Sequence, residues 1–253
     1  MPEVRSNTTG SVPSLAWTGL VKRFANGRGT GPVSLQLRAG QVCSLLGANG
    51  CGKSTLIRIL AGIDRADAGT ISVDGRDWTL GSPEAEGLRG RVIGVILQGA
   101  EPWPHLSLLE NLTLPLESKL GLSKGEAEDR AAEELERFEL LPRSRALPHV
   151  LSGGMRQRLV IARCLVLRPR FLLLDEITSA LDPEWTERVT GRVAEFATKG
   201  GTVVSISHRL NLVRRMSDWV VYMVDGVIRE QGSPERVLDC PEDKDLRRFI
   251  LNA

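Results

Sequence analysis

Apolar and polar positions along this chain switch between two periods, and the switches outline its elements. Residues 33–37 (VSLQL) alternate, as a strand buried on one face does. Residues 15–24 read as a strand before them, and 69–75 (GTISVDG) as a short strand closed by an Asp-Gly turn. Residues 202–207 read as another strand, and three runs are mostly apolar: 41–46 (QVCSLL), 92–97 (VIGVIL) and 171–175 (FLLLD). Such runs predict strands covered on both faces. Helical spacing takes over at 54–61, across most of 107–141, at 156–167 ahead of Pro169, and from Pro183 to about Lys199, where Gly200 and Gly201 end it. Ser123 and Glu126 spell a capping box before a charged helix, most of whose charges form its solvated face. Residues 140–150 read as a loop, 219–224 and 227–230 as a hairpin around Asp225-Gly226, and about 234–239 and 245–252 as two short helices. Strands alternating with helices predict an α/β fold with some antiparallel strands and an all-helical insertion at about 99–170. Residues 1–14, rich in Ser, Thr, Gly and Pro, predict a mobile tail, and 15–253 a single domain of two lobes.

The chemistry begins where the strand at 41–46 meets the helix at 54–61. Between them, Gly47, Ala48, Asn49, Gly50, Cys51, Gly52, Lys53, Ser54 and Thr55 fit G-x-x-x-x-G-K-[ST] with one more threonine. Glycines let backbone N–H groups curl inward around phosphate oxygens, at a helix N-terminus that favours an anion. Lys53 adds a charge for the β/γ-phosphates, and the Ser54 hydroxyl can ligate Mg²⁺. A strand-to-helix turn with no ligand is the bland alternative, which the Lys-Ser-Thr disfavours. Asp175 and Glu176 end the strand at 171–175, at the carboxyl edge where ligands gather in such sheets. Asp175 suits the metal, and Glu176 suits the general base on an attacking water. Idle, solvated carboxylates would look the same in isolation. In LSGGMRQR at 151–158, Ser152 is a candidate helix N-cap, yet Gly153 and Gly154 cost helix stability, about 1 kcal/mol each against alanine. They make sense if a phosphate must approach that backbone closely.

Composition narrows the partners. A net charge of +2 gives no electrostatic reason to invoke nucleic acid, and no long basic stripe appears. Cys43, Cys51, Cys164 and Cys240 lack metal or disulfide spacing and read as reduced thiols. No apolar run approaches the roughly 18 residues of a membrane span, and the first residues do not resemble a signal peptide. Any membrane association is expected through a partner.

In order along the chain stand the phosphate loop, Gln98, LSGGMRQR, LLLDE, the Ser-Ala-Leu-Asp of residues 179–182, and His208. With these the sequence resembles the ATP-binding cassette (ABC) ATPases over residues 15–252. The resemblance implies the P-loop NTPase fold of ABC type, with an antiparallel β subdomain and an inserted helical subdomain, ATP and Mg²⁺ as ligands, and a head-to-tail dimer. In that dimer, Ser152, Gly153, Gly154 and Met155 of one subunit close over ATP on the phosphate loop of the other. It further implies that Gln98 touches Mg²⁺ and the attacking water, that His208 contacts the γ-phosphate, and that Asp182 communicates across the dimer. Phe24, 23 residues before Gly47, matches an aromatic that stacks on adenine, with core packing as the competing role.

Residues 104–112 and 121–128, the Pro-His-Val of 148–150 and the C-terminal segment look like the polar amino acid uptake branch of bacteria. That branch implies a separate ATPase subunit at the cytoplasmic face of the cell membrane, peripheral through integral permease subunits and served by a periplasmic or extracellular substrate-binding protein. The ATPase of an exporter or lipoprotein-release system is the alternative, and a non-transport cassette a remoter one. Residues 98–109, with Trp103 and Leu106, would line the groove for a permease helix, unless Trp103 merely packs within the helical lobe. Ile177 replaces the family's usual proline, Met155-Arg156 its usual glutamine pair, and Cys51 is a variant within the loop. None removes a catalytic group.

Overall fold

The computed structural model describes residues 14–25, 27–78 and 92–251. Six strands form the central sheet: β3 (Val42–Leu46), β6 (Ile93–Ile96), β7 (Phe171–Asp175), β8 (Thr202–Ile206), β9 (Trp219–Val224) and β10 (Val227–Gly232), in the order β10-β9-β3-β8-β7-β6. All pairs are parallel except β9–β10. The apolar runs are explained by burial on both faces. Phe171 and Leu173 enter one hydrophobic cluster, while Leu172 and Leu174, pointing the other way, enter a second.

The first cluster lies against α1 (Lys53–Leu60) and a four-stranded antiparallel sheet of order β2-β1-β4-β5, built from β1 (Leu15–Arg23), β2 (Gly29–Leu37), β4 (Ala68–Val73) and β5 (Arg76–Asp77). Leu56, Ile57, Ile59 and Leu60 of α1 pack there with Trp17, Leu20, Val33 and Leu37. The second cluster joins the sheet to α2 (Leu108–Leu120), α3 (Lys124–Arg137), α4 (Gly153–Leu165) and α5 (Pro183–Thr198). Both Ser107 and Ser123 form full capping boxes, with Glu110 and Glu126. The buried Asn111 ties the loop before α2 in place: Nδ2 donates to the carbonyls of Trp103, Leu106 and Ser107, and Oδ1 accepts from the Trp103 N–H and from Arg163. A third cluster packs α6 (Leu210–Met216) and α7 (Lys244–Leu251) on β9.

One strand start departs from the sequence reading, and two helices refine it. β2 starts at Gly29, because Gly31 N–H and Thr30 Oγ1 donate to the Gly226 carbonyl in the β9–β10 turn. Helix α4 starts at Gly153, where the Ser152 hydroxyl accepts from Met155 N–H at 3.3 Å. The first C-terminal helix is a single wide turn, Glu235–Asp239. Of the expected tail, residues 1–13 lie outside the described residues; Ser14 is buried and accepts from the Thr202 hydroxyl.

Candidate active site

Parallel strands bring their carboxyl ends to one edge of the sheet, and the chemistry sits there. β3 leads into residues 47–52, which wrap the start of α1. Gly47 has φ 143° and lies against the Met223 carbonyl, where a Cβ would come within 2.3 Å of oxygen, so no other residue fits. Gly52 caps α1 without a side-chain bond, which leaves the helix's first N–H groups for an anion. The Lys53 ammonium is buried and folded back over the loop, donating to the carbonyls of Gly47 (2.7 Å) and Ala48 (2.9 Å), with Cys51 Sγ at 3.8 Å. Cys51 itself is buried against the loop, while Ala48, Asn49 and Gly50 are exposed.

Register carries Asp175 and Ile206 to the same level, next to this loop. Asp175 is buried, and its carboxyl is pushed upward by desolvation, offset by a hydrogen bond from Ser54 and raised again by the nearby Glu176. Glu176 follows with φ 51°, a left-handed conformation unusual for a non-glycine residue. His208 Nε2 lies 2.6 Å from Glu176 Oε1, and Gln98 Nε2 donates to Oε2 at 3.3 Å. One carboxylate is thus gripped at both oxygens by groups from two other strand ends.

These residues line one cleft of about 600 Å³, with Phe24, Arg28, Gly29, Asn49, Gly50, Gly52, Thr55, Gln98, Asp175, Glu176, Ile206 and His208 in its wall. Phe24 is 40% exposed at the cleft's rim, so core packing is not its role. Arg28, Gly29 and Ile206 were not foreseen. Ile206 reads as one more strand residue, and Arg28 sits in a loop whose path depends on the pairing of β2. The donor set suits Mg²⁺: a hydroxyl, an amide and a buried carboxylate are hard oxygen donors beside a place for phosphates. Among the described residues no cluster of three or more His, Cys, Asp or Glu offers a fully protein-made cage.

Ser152, Gly153, Gly154 and Met155 are not in this cleft. Ser152 and Gly153 are exposed, Gly154 is half-buried with the Ala180 carbonyl near its Cα hydrogen, and Met155 packs on the helical cluster. A Cβ on Gly153 would meet nothing within 4 Å, so this chain alone gives no packing reason for glycine there. Asp182 caps α5 by accepting from Trp185 N–H at 2.8 Å. Ile177, at the departure from proline, is buried, and its carbonyl accepts from Gln157 of α4 at 3.0 Å. That bond links the loop carrying Glu176 to the helix carrying the glycines. Trp103 lines a separate groove of about 320 Å³ with Pro115, Lys119, Val160 and Cys164, and Arg163 lies over its ring at 4.4 Å; Leu106 is not in that wall.

Known proteins are similar to this chain in sequence and fold. The family described as ABC transporter matches residues 30–179. The glutamate transport ATP-binding protein GluA of Corynebacterium efficiens is 35% identical over 233 residues, which cover 92% of this chain and 96% of GluA. The methionine import ATP-binding protein MetN of Rhizobium johnstonii is 39% identical over 242 residues, which cover 95% of this chain but 66% of MetN. Among solved structures, the dimeric ATP-binding cassette MJ0796 in a post-hydrolysis state with ADP and Pi superposes with a TM-score of 0.80 at 30% identity, covering 87% of this chain and 98% of that one. The ADP conformation of the cassette MJ1267 matches at 26% identity with a TM-score of 0.78, over 95% and 99% of the two chains. With the phosphate loop, the paired acids and the gripped glutamate at one sheet edge, this chain belongs to the ABC transporter family and is an ATP-binding cassette ATPase.

Proposed function

We propose that the chain is the ATP-hydrolysing subunit of an amino acid importer. Residues 15–253 then act as one ATPase domain, with helices inserted at about 99–170. The carrying observation is the Glu176 carboxylate, fixed by His208 and Gln98 at the lip of the phosphate cleft. In this reading residues 47–55 hold the triphosphate of ATP, Lys53 leaves its loop carbonyls for the β/γ-phosphates, and Phe24 stacks on the base. Ser54, Asp175 and Gln98 would hold Mg²⁺, which when bound offsets phosphate charge. Glu176 takes a proton from the attacking water, and His208 keeps the carboxylate aimed and reaches the γ-phosphate.

The Ser152–Gly153–Gly154 helix start supports a head-to-tail dimer, because Ser152 and Gly153 are exposed and a Cβ on Gly153 would meet nothing within 4 Å, which leaves room for a partner's phosphates. Asp182, at the head of α5, closes the loop whose Ala180 carbonyl lies beside Gly154, and would sense the partner. The importer assignment is supported by similarity to GluA and MetN, whose names state glutamate transport and methionine import. Such a subunit works at the cytoplasmic face of the membrane, bound to permease subunits and fed by a substrate-binding protein. Among the described residues no helix is long and apolar enough to cross a membrane itself.

Glu176→Gln tests the reading. It keeps the shape and the Gln98 contact region but cannot accept a proton, so ATP should be bound and retained with a dimer that elutes at twice the monomer mass. Hydrolysis near the wild-type rate would remove Glu176 from its role. Transport by the chain's neighbouring permease, reconstituted in vesicles with radiolabelled glutamate and methionine, tests the importer assignment separately.

A further inference from the structure

A second cleft, about 690 Å³, lies away from the phosphate loop, where the ends of α3, α4 and α5 meet the beginning of β7. Its wall is cationic. Most of the basic residues there are already paired: Arg137 with Glu134 at 3.0 Å, Arg192 with Glu134 and Glu195, Lys199 with Glu195 at 2.7 Å, and Arg170 with Asp74. These pairs answer Glu134 and Glu195, while Glu133 also stands in the wall; Arg137 and Lys199 sit at helix C-termini, where cations are expected. Arg130 and Arg168 remain, with no ion-pair partner among the described residues. Burial, and next the Arg168 charge, pull the Arg130 guanidinium below its ordinary pKa, against the opposing pull of the nearby Glu134 and Glu133 carboxylates.

Arg130 is the more telling of the two. Its Nε and Nη2 are buried without any acceptor. An unmet buried donor costs about 1–3 kcal/mol, and native proteins seldom leave one without a reason. Nε and Nη2 form one edge of the guanidinium, the edge that grips an oxyanion with two parallel bonds. Elsewhere in this chain the same two atoms of Arg58 hold both oxygens of Asp64, at 2.7 and 2.9 Å. The edge on Arg130 therefore lacks the kind of acceptor for which Arg58 has Asp64.

We propose that this cleft is a binding site for a small phosphate-type dianion, held by Arg130 side-on and by Arg168. Because Nε and Nη2 are buried as the side chain stands, binding requires the Arg130 side chain to turn its edge toward the cleft. The anion supplies the missing acceptors and separates two like charges. Because the walls come from α3 of the inserted helices and from α5 and the segment entering β7, a bound anion also ties the two lobes together, at the end of β7 opposite Asp175.

Radiolabelled inorganic phosphate in equilibrium dialysis tests this, with the full chain kept saturated in Mg²⁺ and a non-hydrolysable ATP analogue so that the first cleft is filled. One phosphate per chain is expected in addition to the nucleotide. Arg130→Gln and Arg168→Gln should each weaken it by about tenfold or more, and Arg130→Lys, which keeps charge but loses the two-toothed edge, should weaken it as well. Lys53→Ala should leave this second event intact. Succinate in the same dialysis separates a dicarboxylate from a phosphate preference: competition weaker than that of unlabelled phosphate supports the proposal, and stronger competition overturns the phosphate class. No binding beyond the nucleotide, or binding that survives both Arg→Gln changes while circular dichroism reports folded protein, overturns the site.

Discussion

His208 Nε2 sits 2.6 Å from Glu176 Oε1, closer than Gln98 Nε2 at 3.3 Å to the other oxygen. The shorter contact carries more of the aiming. His208→Ala should therefore lower kcat by about 10²-fold or more with little change in the KM for ATP, and Gln98→Ala by less. Steady-state phosphate release from both variants checks the ranking. A larger loss in Gln98→Ala would mean that the amide, not the imidazole, sets the geometry.

Asp175 carries a cost in the nucleotide-free fold. Burial raises its pKa, so the folded chain disfavours its ionised form. The sign follows from linkage: below the unfolded carboxylate's pKa there is no penalty, and the penalty grows as pH rises through the folded value. Asp175→Asn should match the wild type in Tm below about pH 4 and exceed it near neutrality, by on the order of 2–4 °C for a chain of this size. The same variant should lose the extra Tm that Mg²⁺ adds to ATP. Scanning calorimetry across pH, with and without Mg²⁺, measures both. A Tm gap that does not change with pH would show that the buried carboxylate is not the source.

Much of this was legible in the chain because it depends on local spelling. FLLLD was read as a buried strand ending in acid, and β7 spans those same residues. The phosphate loop is a continuous run of backbone geometry, so its residues announce themselves. What could not be read depends on contacts between distant segments. The early start of β2 is set by the Gly226 carbonyl, about two hundred residues away in sequence. Helix α6 has seven residues and no side-chain cap, too short for a periodic signal. Glu176's left-handed turn and the Gln157 bond to the Ile177 carbonyl arise from tertiary fit. Pattern reading finds Glu176 but not its left-handed conformation.

Trp103 lines an open groove rather than the interior of the helical lobe, and Arg163 stacked on its ring holds it there. A permease segment docking in that groove should crosslink efficiently from a photoreactive residue at Trp103 and less from Leu106, which is outside the wall. Membrane complexes purified with each replacement and analysed by mass spectrometry give the comparison. Equal yields at the two positions would place the docking segment elsewhere.

The separation of the phosphate cleft from the Ser152–Gly153–Gly154 surface leads to a test of dimer geometry that no single variant provides. Lys53→Ala removes the phosphate cradle but leaves the helix start of α4 whole. Gly153→Asp does the reverse: φ at that position is ordinary, and the Cβ meets nothing, so the fold should tolerate it while the added carboxylate repels a partner's γ-phosphate. Each variant alone should be inactive. In a head-to-tail dimer, mixing them builds one intact site from the Lys53 of one subunit and the Gly153 of the other. An equal mixture then contains such dimers in about half its population, each with one of two sites, so about a quarter of wild-type turnover should return if the sites work independently. If instead Lys53 and Gly153 served the same site within one chain, no mixture could restore it, and the ATPase assay would stay flat at every ratio.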